Sequence, residues 1–326
     1  MAGVVKPLVE DLIAAGELRR SLQRDVRKGM LAGHKMLPPV WFYDEVGSAL
    51  FDEITRLPEY YLTRAERALL VEHAARIADL SGATSLVELG AGTCEKTRLL
   101  LDPLWDKGIL ASYVPLDVSA VTLQQAAFLL AQEYEGLLVH ALIGDFRRHL
   151  GKVPKSPNQM FAFLGSTIGN LSTHDRAGFF SDLAAVMKPG DTFLLGADLV
   201  KDPKKLVRAY DDVAGVTARF NLNVLNVLNR ELGANFDPSY FEHVAVWNEE
   251  ESRIEMHLRA TQAQAVEISS LGINVHFETG EALLTETSAK FTSEGIQAEL
   301  ARAGLGVDWW WKSDESEYML LLAARS

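Results

Sequence analysis

Ser85-Leu86-Val87-Glu88-Leu89-Gly90-Ala91-Gly92-Thr93 is a short, mostly apolar run that ends in two glycines one residue apart. The helical stretch EKTRLLLDPLW (residues 95–105) follows it, so the segment reads as strand, tight turn and helix. The same alternation continues outward. ASYVPLDVS (111–119) precedes the helical TLQQAAFLLAQEY. LLVHALIGDF (137–146) comes next, then MFAFLGSTIGN (160–170) with the helical HDRAGFFSDLAAVM, and DTFLLGADLV (191–200). Short apolar strands separated by helices indicate an α/β fold, with a parallel sheet covered on both faces. After Val200 the alternation stops. Residues 201–232 read as one long helix, FEHVAVWNEEESRIEMHLRA as two strands about an acidic turn, and SEGIQAELARAGL as a returning helix. VDWWWKSD with YMLLLAARS reads as a closing antiparallel hairpin. Residues 65–200 and 291–326 are therefore expected to form the core, and residues 8–64 and 201–290 a second, α+β lobe. Within that lobe, Leu8, Leu12, Ile13, Leu18 and Leu22 suggest a helix over 8–30. Pro38-Pro39 stops it, a short helix spans Gly47 to Leu57, and a further helix starts near Thr63, where Thr63 and Glu66 fit a capping box.

Composition narrows the function classes. The 326 residues carry 44 acidic and 32 basic side chains, a formal charge of −12, with 48% hydrophobic and 23% charged residues. That is an ordinary globular balance, and the acidic excess argues against nucleic acid as a partner. The single cysteine, Cys94, excludes an internal disulfide and a multi-cysteine zinc site, and the eight histidines show no metal-ligand spacing. With acids close to the N-terminus and no apolar run of membrane-spanning length, the expectation is a cytoplasmic, monomeric protein without membrane or metal.

The glycine turn is the first candidate site. Gly90 and Gly92 allow a ligand to approach the backbone, although a tight turn alone also accounts for them. A dinucleotide fingerprint would need glycine at position 95, where Glu95 stands, and a pyrophosphate would be repelled there. Glu88 and Glu95 suit a cationic ligand without phosphate, and S-adenosylmethionine is such a ligand. Asp117 ends the second strand, where an acid accepts from both ribose hydroxyls. Asp145, after the third strand, suits an adenine amine, with Phe146 on the ring. Lys96 suits the methionyl carboxylate. Acids at successive strand ends in this order point to a class I, Rossmann-like methyltransferase core with a seven-stranded sheet. In FLGSTIGN, on the acceptor side, Asn170 offers donors and an acceptor, and Gly165 exposes backbone to an amine or carboxylate; Asn170 as a cap of the next helix is the plainer alternative.

WFYDEVGSALFDEITRLPEYYLTRAE, VELGAGTCEKT, FLGSTIGNL, DLVKD with LVRAYDD, and LLTETSAKF together resemble the L-histidine Nα-methyltransferase family of ergothioneine biosynthesis, in its bacterial stand-alone form. The resemblance runs from about residue 20 to the C-terminus. It implies three methyl transfers to the α-amine of histidine, giving hercynine. It further implies carboxylate contacts from Asn170 and Tyr210, and imidazole contacts from Tyr60, Glu286 and Ser288. Met256 would shape the pocket, and Tyr43, Phe51 and Phe220 would form an aromatic wall near the amine. Glu286 and Ser288 are two residues apart, so on an extended segment they share a face and can grip one ring nitrogen each. Tyr43 is the candidate proton relay. An Nα-methyltransferase acting on a tryptophan derivative and a non-catalytic cofactor-binding regulator are the competing readings. Cys94 and the tryptophans Trp309, Trp310 and Trp311 are read as packing residues, and Glu249-Glu250-Glu251 as a solvated turn.

Overall fold

A computed structural model of the chain describes residues 6–313 and 318–325. Met1 to Val5, which open the N-terminal stretch, and part of the turn of the closing hairpin lie outside the described residues. The chain divides into two compact units: residues 6–13, 62–200 and 291–325, and residues 14–61 with 201–290.

The first unit is an eight-stranded sheet in the order β1-β4-β3-β2-β5-β6-β13-β12. Its strands are β1 (Leu8–Asp11), β2 (Ser85–Leu89), β3 (Ser112–Asp117), β4 (Leu138–Ile143), β5 (Gln159–Phe163), β6 (Thr192–Asp198), β12 (Leu305–Lys312) and β13 (Tyr318–Arg325). Strands β1 to β6 pair in parallel, while β13 runs antiparallel to both β6 and β12. Helices α3 (Leu62–Ser81), α4 (Arg98–Asp106), α5 (Ala120–Glu133), α6 (Phe146–His149), α7 (Thr173–Val186) and α10 (Ser293–Arg302) make up the rest. Every residue of β2 and β5 is buried, as in a parallel sheet with both faces covered. Strand order reverses around β2, which is flanked by β3 and β5; such a switch point opens a crevice at the carboxyl ends of the strands.

The eighth strand corrects the expected count of seven. Residues 8–11 are not helical: Leu8 to Asp11 pair in parallel with His140 to Ile143, and Leu8 is half exposed. The helix begins only at Glu17, after Gly16 in left-handed conformation. An edge strand draws its stability from the neighbouring backbone ladder, so the leucine spacing at 8 and 12 carried no core pattern. The lobe boundary shifts accordingly, since residues 6–13 belong to the sheet unit.

The second unit holds α1 (Glu17–Met30), α2 (Glu45–Ile54), α8 (Pro203–Tyr210) and α9 (Val216–Leu232). Its strands are β7 (Phe241–Asn248), β8 (Arg253–Ala260), β9 (Gln264–Ile268), β10 (Ile273–Phe277) and β11 (Ala282–Ala289). They form a three-stranded sheet, β11-β8-β7, and a β9–β10 ribbon. The single helix expected over 201–232 is two. It breaks at Asp211–Gly215, where Asp212 accepts from the Val216 and Thr217 N–H groups at 2.9 and 2.7 Å and so caps α9. Phe236, Phe241 and Phe277 meet edge to face or tilted in this unit's apolar core.

Candidate functional site

In the sheet unit the expected cofactor groups stand at the ends of β2, β3 and β4. Gly90 and Gly92 have φ of 69° and 53°, a conformation that side chains with a Cβ rarely adopt, so the turn after β2 requires glycine. Asp117 closes this turn onto β3: its Oδ2 accepts from the Gly92 N–H at 2.9 Å and its Oδ1 from the Ser119 N–H at 2.8 Å. Burial pushes the Asp117 carboxyl up against the opposing pull of these backbone donors. Asp145 caps α6 and is held by Arg147 through two side-chain contacts, at 3.1 and 2.8 Å. Phe146 packs on Phe163 with centroids 4.9 Å apart.

Glu88 differs from the other acids. Its carboxylate is inside the fold, accepting from Thr97 Oγ1 at 2.5 Å and Tyr113 Oη at 2.6 Å. Burial outweighs those donors and raises its pKa to about 7. Its observed contacts anchor α4 to β3 below the glycine turn. Cys94, also in left-handed conformation, is buried with its thiol pKa raised by burial and by Glu88, which keeps it protonated and fits packing.

Lys96 pairs with Glu66, a side chain buried in α3. The same carboxylate accepts from the Gly165 N–H at 2.6 Å and from Tyr318 Oη at 2.7 Å. Gly196 makes room for it, because a Cβ there would lie 2.2 Å from Glu66 Oε1. Glu66 is thus no capping-box residue. It ties Lys96 to the loop after β5, a long-range role that the local spacing from Thr63 does not reveal. In that loop Gly165 and Ser166 are both left-handed, and a 3-10 turn spans Thr167–Asn170. The cap of α7 is Ser172, so Asn170 does not serve as that cap.

The second unit gathers the other expected residues. Tyr43, Phe51 and Phe220 form one aromatic cluster with centroid separations of 5.6, 5.8 and 6.0 Å, joined by Phe42, which the sequence reading missed. Phe51 meets Tyr60 at 6.2 Å, and Tyr60 meets Tyr210 at 6.1 Å. Asp44 sets this cluster by capping α2 and by accepting from Asn223 Nδ2 on α9 at 2.8 Å. Tyr210 Oη and Ser288 Oγ are 2.8 Å apart. On β11, Glu286 lies opposite Met256 and Ser288 opposite Ile254, in regular register, so the two share a face as the spacing requires. A bulge at Thr285, between Leu284 and Glu286, re-aims the strand just before this pair.

Two groups behind Tyr210 escaped the sequence reading. Buried Lys290 donates to Tyr210 Oη at 2.8 Å and to Ser288 Oγ at 2.9 Å. His243 Nε2 lies 2.8 Å from the Tyr210 carbonyl oxygen, and its Nδ1 lies 2.8 Å from Asn221 Nδ2. Burial lowers the His243 pKa, and the neutral ring donates through Nε2 to fix the end of α8. The signal for Lys290 was present: it extends the alternation of 286 and 288 by one more step.

The residues fit S-adenosylmethionine as its holders: a glycine turn, an acid at each of two neighbouring strand ends, an aromatic ring and a lysine. Among the described residues no group of side chains could hold a metal ion, and no helix is long and apolar enough to cross a membrane.

Comparison with known proteins agrees with this chemistry. A family profile described as histidine-specific, SAM-dependent methyltransferase matches residues 22–325. The chain is 53% identical over 313 residues to a histidine N-alpha-methyltransferase of Mycolicibacterium smegmatis, covering 96% of this chain and 98% of that one. It is 53% identical over 311 residues to that of Mycobacterium tuberculosis, covering 95% and 96%. An L-tryptophan methyltransferase of Psilocybe serbica is 28% identical over 332 residues, covering 92% of each chain. With a match across nearly its whole length, the chain belongs to the histidine-specific, S-adenosylmethionine-dependent methyltransferases.

Proposed function

We propose that this enzyme transfers three methyl groups from S-adenosylmethionine to the α-amine of L-histidine, giving hercynine, the first step of ergothioneine biosynthesis. The observation that carries the substrate assignment is the shared face of Glu286 and Ser288, with Ser288 held by Tyr210. An acceptor without two hydrogen-bonding ring nitrogens forgoes one of the hydrogen bonds that this pair offers to an imidazole, a loss of about 1–3 kcal/mol. The full-length likeness to histidine N-alpha-methyltransferases supports the same reading. We read the enzyme as a cytoplasmic monomer acting on a small molecule, with neither nucleic acid nor membrane as partner.

When bound, S-adenosylmethionine supplies an electrophilic methyl group. Asp117 holds the ribose hydroxyls, the turn at Gly90 and Gly92 admits the cofactor against the backbone, Asp145 and Phe146 meet the adenine, and Lys96 meets the methionyl carboxylate. Glu88 acts from behind, by anchoring the turn. Asn170 and Tyr210 orient the amino-acid carboxylate. Tyr60, Glu286 and Ser288 orient the imidazole, and Met256 walls it. The amine must be neutral to react, so its ammonium proton has to leave. Tyr43 is partly exposed beside Phe51 and Phe220, and its phenol oxygen relays that proton to water. Gly165 offers backbone to the amine, and the aromatic cluster stabilises the methylated cation as it forms.

The test is mass spectrometry of the purified enzyme with S-adenosylmethionine and each of the twenty amino acids. The expected result is a gain of three methyl groups on histidine alone. Methylation of tryptophan instead would keep the family and overturn the assignment of Glu286 and Ser288.

A further inference from the structure

Lys290 follows β11 immediately, two residues beyond Ser288, and is 3% exposed. Its ammonium, Tyr210 Oη and Ser288 Oγ form a closed triangle with sides of 2.8, 2.9 and 2.8 Å. The ammonium also lies 4.7 Å from the centre of the Tyr210 ring. An ammonium has donors only, so both oxygens accept from it. The bond between the two hydroxyls consumes one of their hydrogens. At most one hydroxyl hydrogen of the pair is then left for any other acceptor. If Ser288 donates to Tyr210, that hydrogen belongs to the phenol. A hydroxyl pair without the lysine keeps freely rotating hydrogens and serves a carboxamide as readily as a carboxylate. With the lysine, the pair has a restricted orientation, is polarised toward donation, and sits beside a positive charge in a poorly solvated site.

We propose that Lys290 is a positioning residue that makes Tyr210, braced by Ser288, select the α-carboxylate of the acceptor. It does so without touching the reacting amine, by fixing the two hydroxyls and supplying the positive charge behind them. This inference rests on the reading of Tyr210 as a carboxylate contact.

The experiment measures the Kd of L-histidine and of L-histidinamide by calorimetry, in the presence of S-adenosylhomocysteine. It uses the wild type and the variants Lys290→Met, Lys290→Gln, Lys290→Arg and Tyr210→Phe. The wild type is expected to prefer histidine. Lys290→Met should weaken histidine binding by about 10- to 100-fold, the range of a lost charge-assisted hydrogen bond. Histidinamide binding should change by less than about threefold, because the neutral amide draws little on the charge. Lys290→Gln should resemble Lys290→Met, and Lys290→Arg should recover part of the preference. The ratio of the two constants is read within one preparation, so a lower folded fraction does not move it. Should Lys290→Met fail to fold, the same ratio in the Gln and Arg variants decides. An equal loss for both ligands, or an unchanged ratio, overturns the proposal and leaves Lys290 a structural residue. If Tyr210→Phe collapses the ratio and the Lys290 variants do not, only the inference about Lys290 fails. If Tyr210→Phe leaves the ratio intact, the carboxylate reading of Tyr210 fails and takes this inference with it.

Discussion

In the sheet unit the proposed cofactor groups stand where strands stop, at Gly90, Gly92, Asp117 and Asp145. In the second unit most of the proposed acceptor groups are side chains of strands β8 and β11 and of helices α2, α8 and α9, with Gly165 and Asn170 contributed by the sheet unit. The first arrangement recognises with turn geometry and backbone, and its acids double as braces, as when Asp117 receives the Gly92 N–H. The second recognises with side chains on an antiparallel sheet, where each can be exchanged while the backbone ladder persists. Acceptor choice is therefore the more easily altered of the two. The chain's relatives include both histidine N-alpha-methyltransferases and an L-tryptophan methyltransferase, as such a division would yield.

The largest effect expected from breaking this division is that of Asp117→Ala. It removes the proposed ribose acceptor and the anchor of the glycine turn together. Calorimetry should show cofactor binding weakened by about 100-fold or more, two charge-assisted hydrogen bonds being lost. A comparable loss of histidine binding in the absence of cofactor would deny that the two units divide the work. Glu286→Ala comes next. The KM for histidine should rise by about 10- to 100-fold while the cofactor KM stays put, and relative turnover of larger aromatic amino acids should improve. Unchanged selectivity would contradict the imidazole assignment.

Glu88 sharpens the comparison through stability. Its folded pKa, about 7, lies above the ordinary glutamate value of 4.5, so the native state holds a proton that the unfolded state has released between those pH values. Stability from this group is complete below about pH 4.5 and declines as pH rises to about 7, by about 3 kcal/mol at most. Glu88→Gln, which keeps an acceptor for Thr97 and Tyr113, should therefore gain on the wild type between pH 5 and pH 8 in urea denaturation. A difference independent of pH would show that Glu88 titrates normally. The smallest effect is that of Tyr43→Phe: a fall of about tenfold in kcat with a shifted pH–rate profile, within the usual range for a proton-transfer group. A profile that does not shift removes Tyr43 from the proton path.

How far the chain could be read varied with how local the cause was. Strands β2 to β6 were plain because a doubly covered parallel strand must be apolar throughout, and the glycines after β2 were plain because the turn admits little else. Glu286 and Ser288 were picked out by the family resemblance, and the strand period of two then put them on one face. Strand β1 was not, since its ladder is supplied by β4 and its own side chains face solvent. The break between α8 and α9 was missed because Asp212 caps a helix that the apolar pattern runs straight through.

The amino-acid sequence alone determined the α/β core and the cofactor class, through short-range periodicity and the turns at strand ends, and the family, through motifs along the chain; most of the candidate acceptor residues came with that resemblance. Tertiary structure alone decided what Glu66, Glu88 and Lys290 do. Glu66 meets Tyr318 from 252 positions away, and Lys290 meets Tyr210 from 80 positions away. A buried charge takes its role from the partners that desolvation forces it to find, and in this fold several of those partners come from distant parts of the chain.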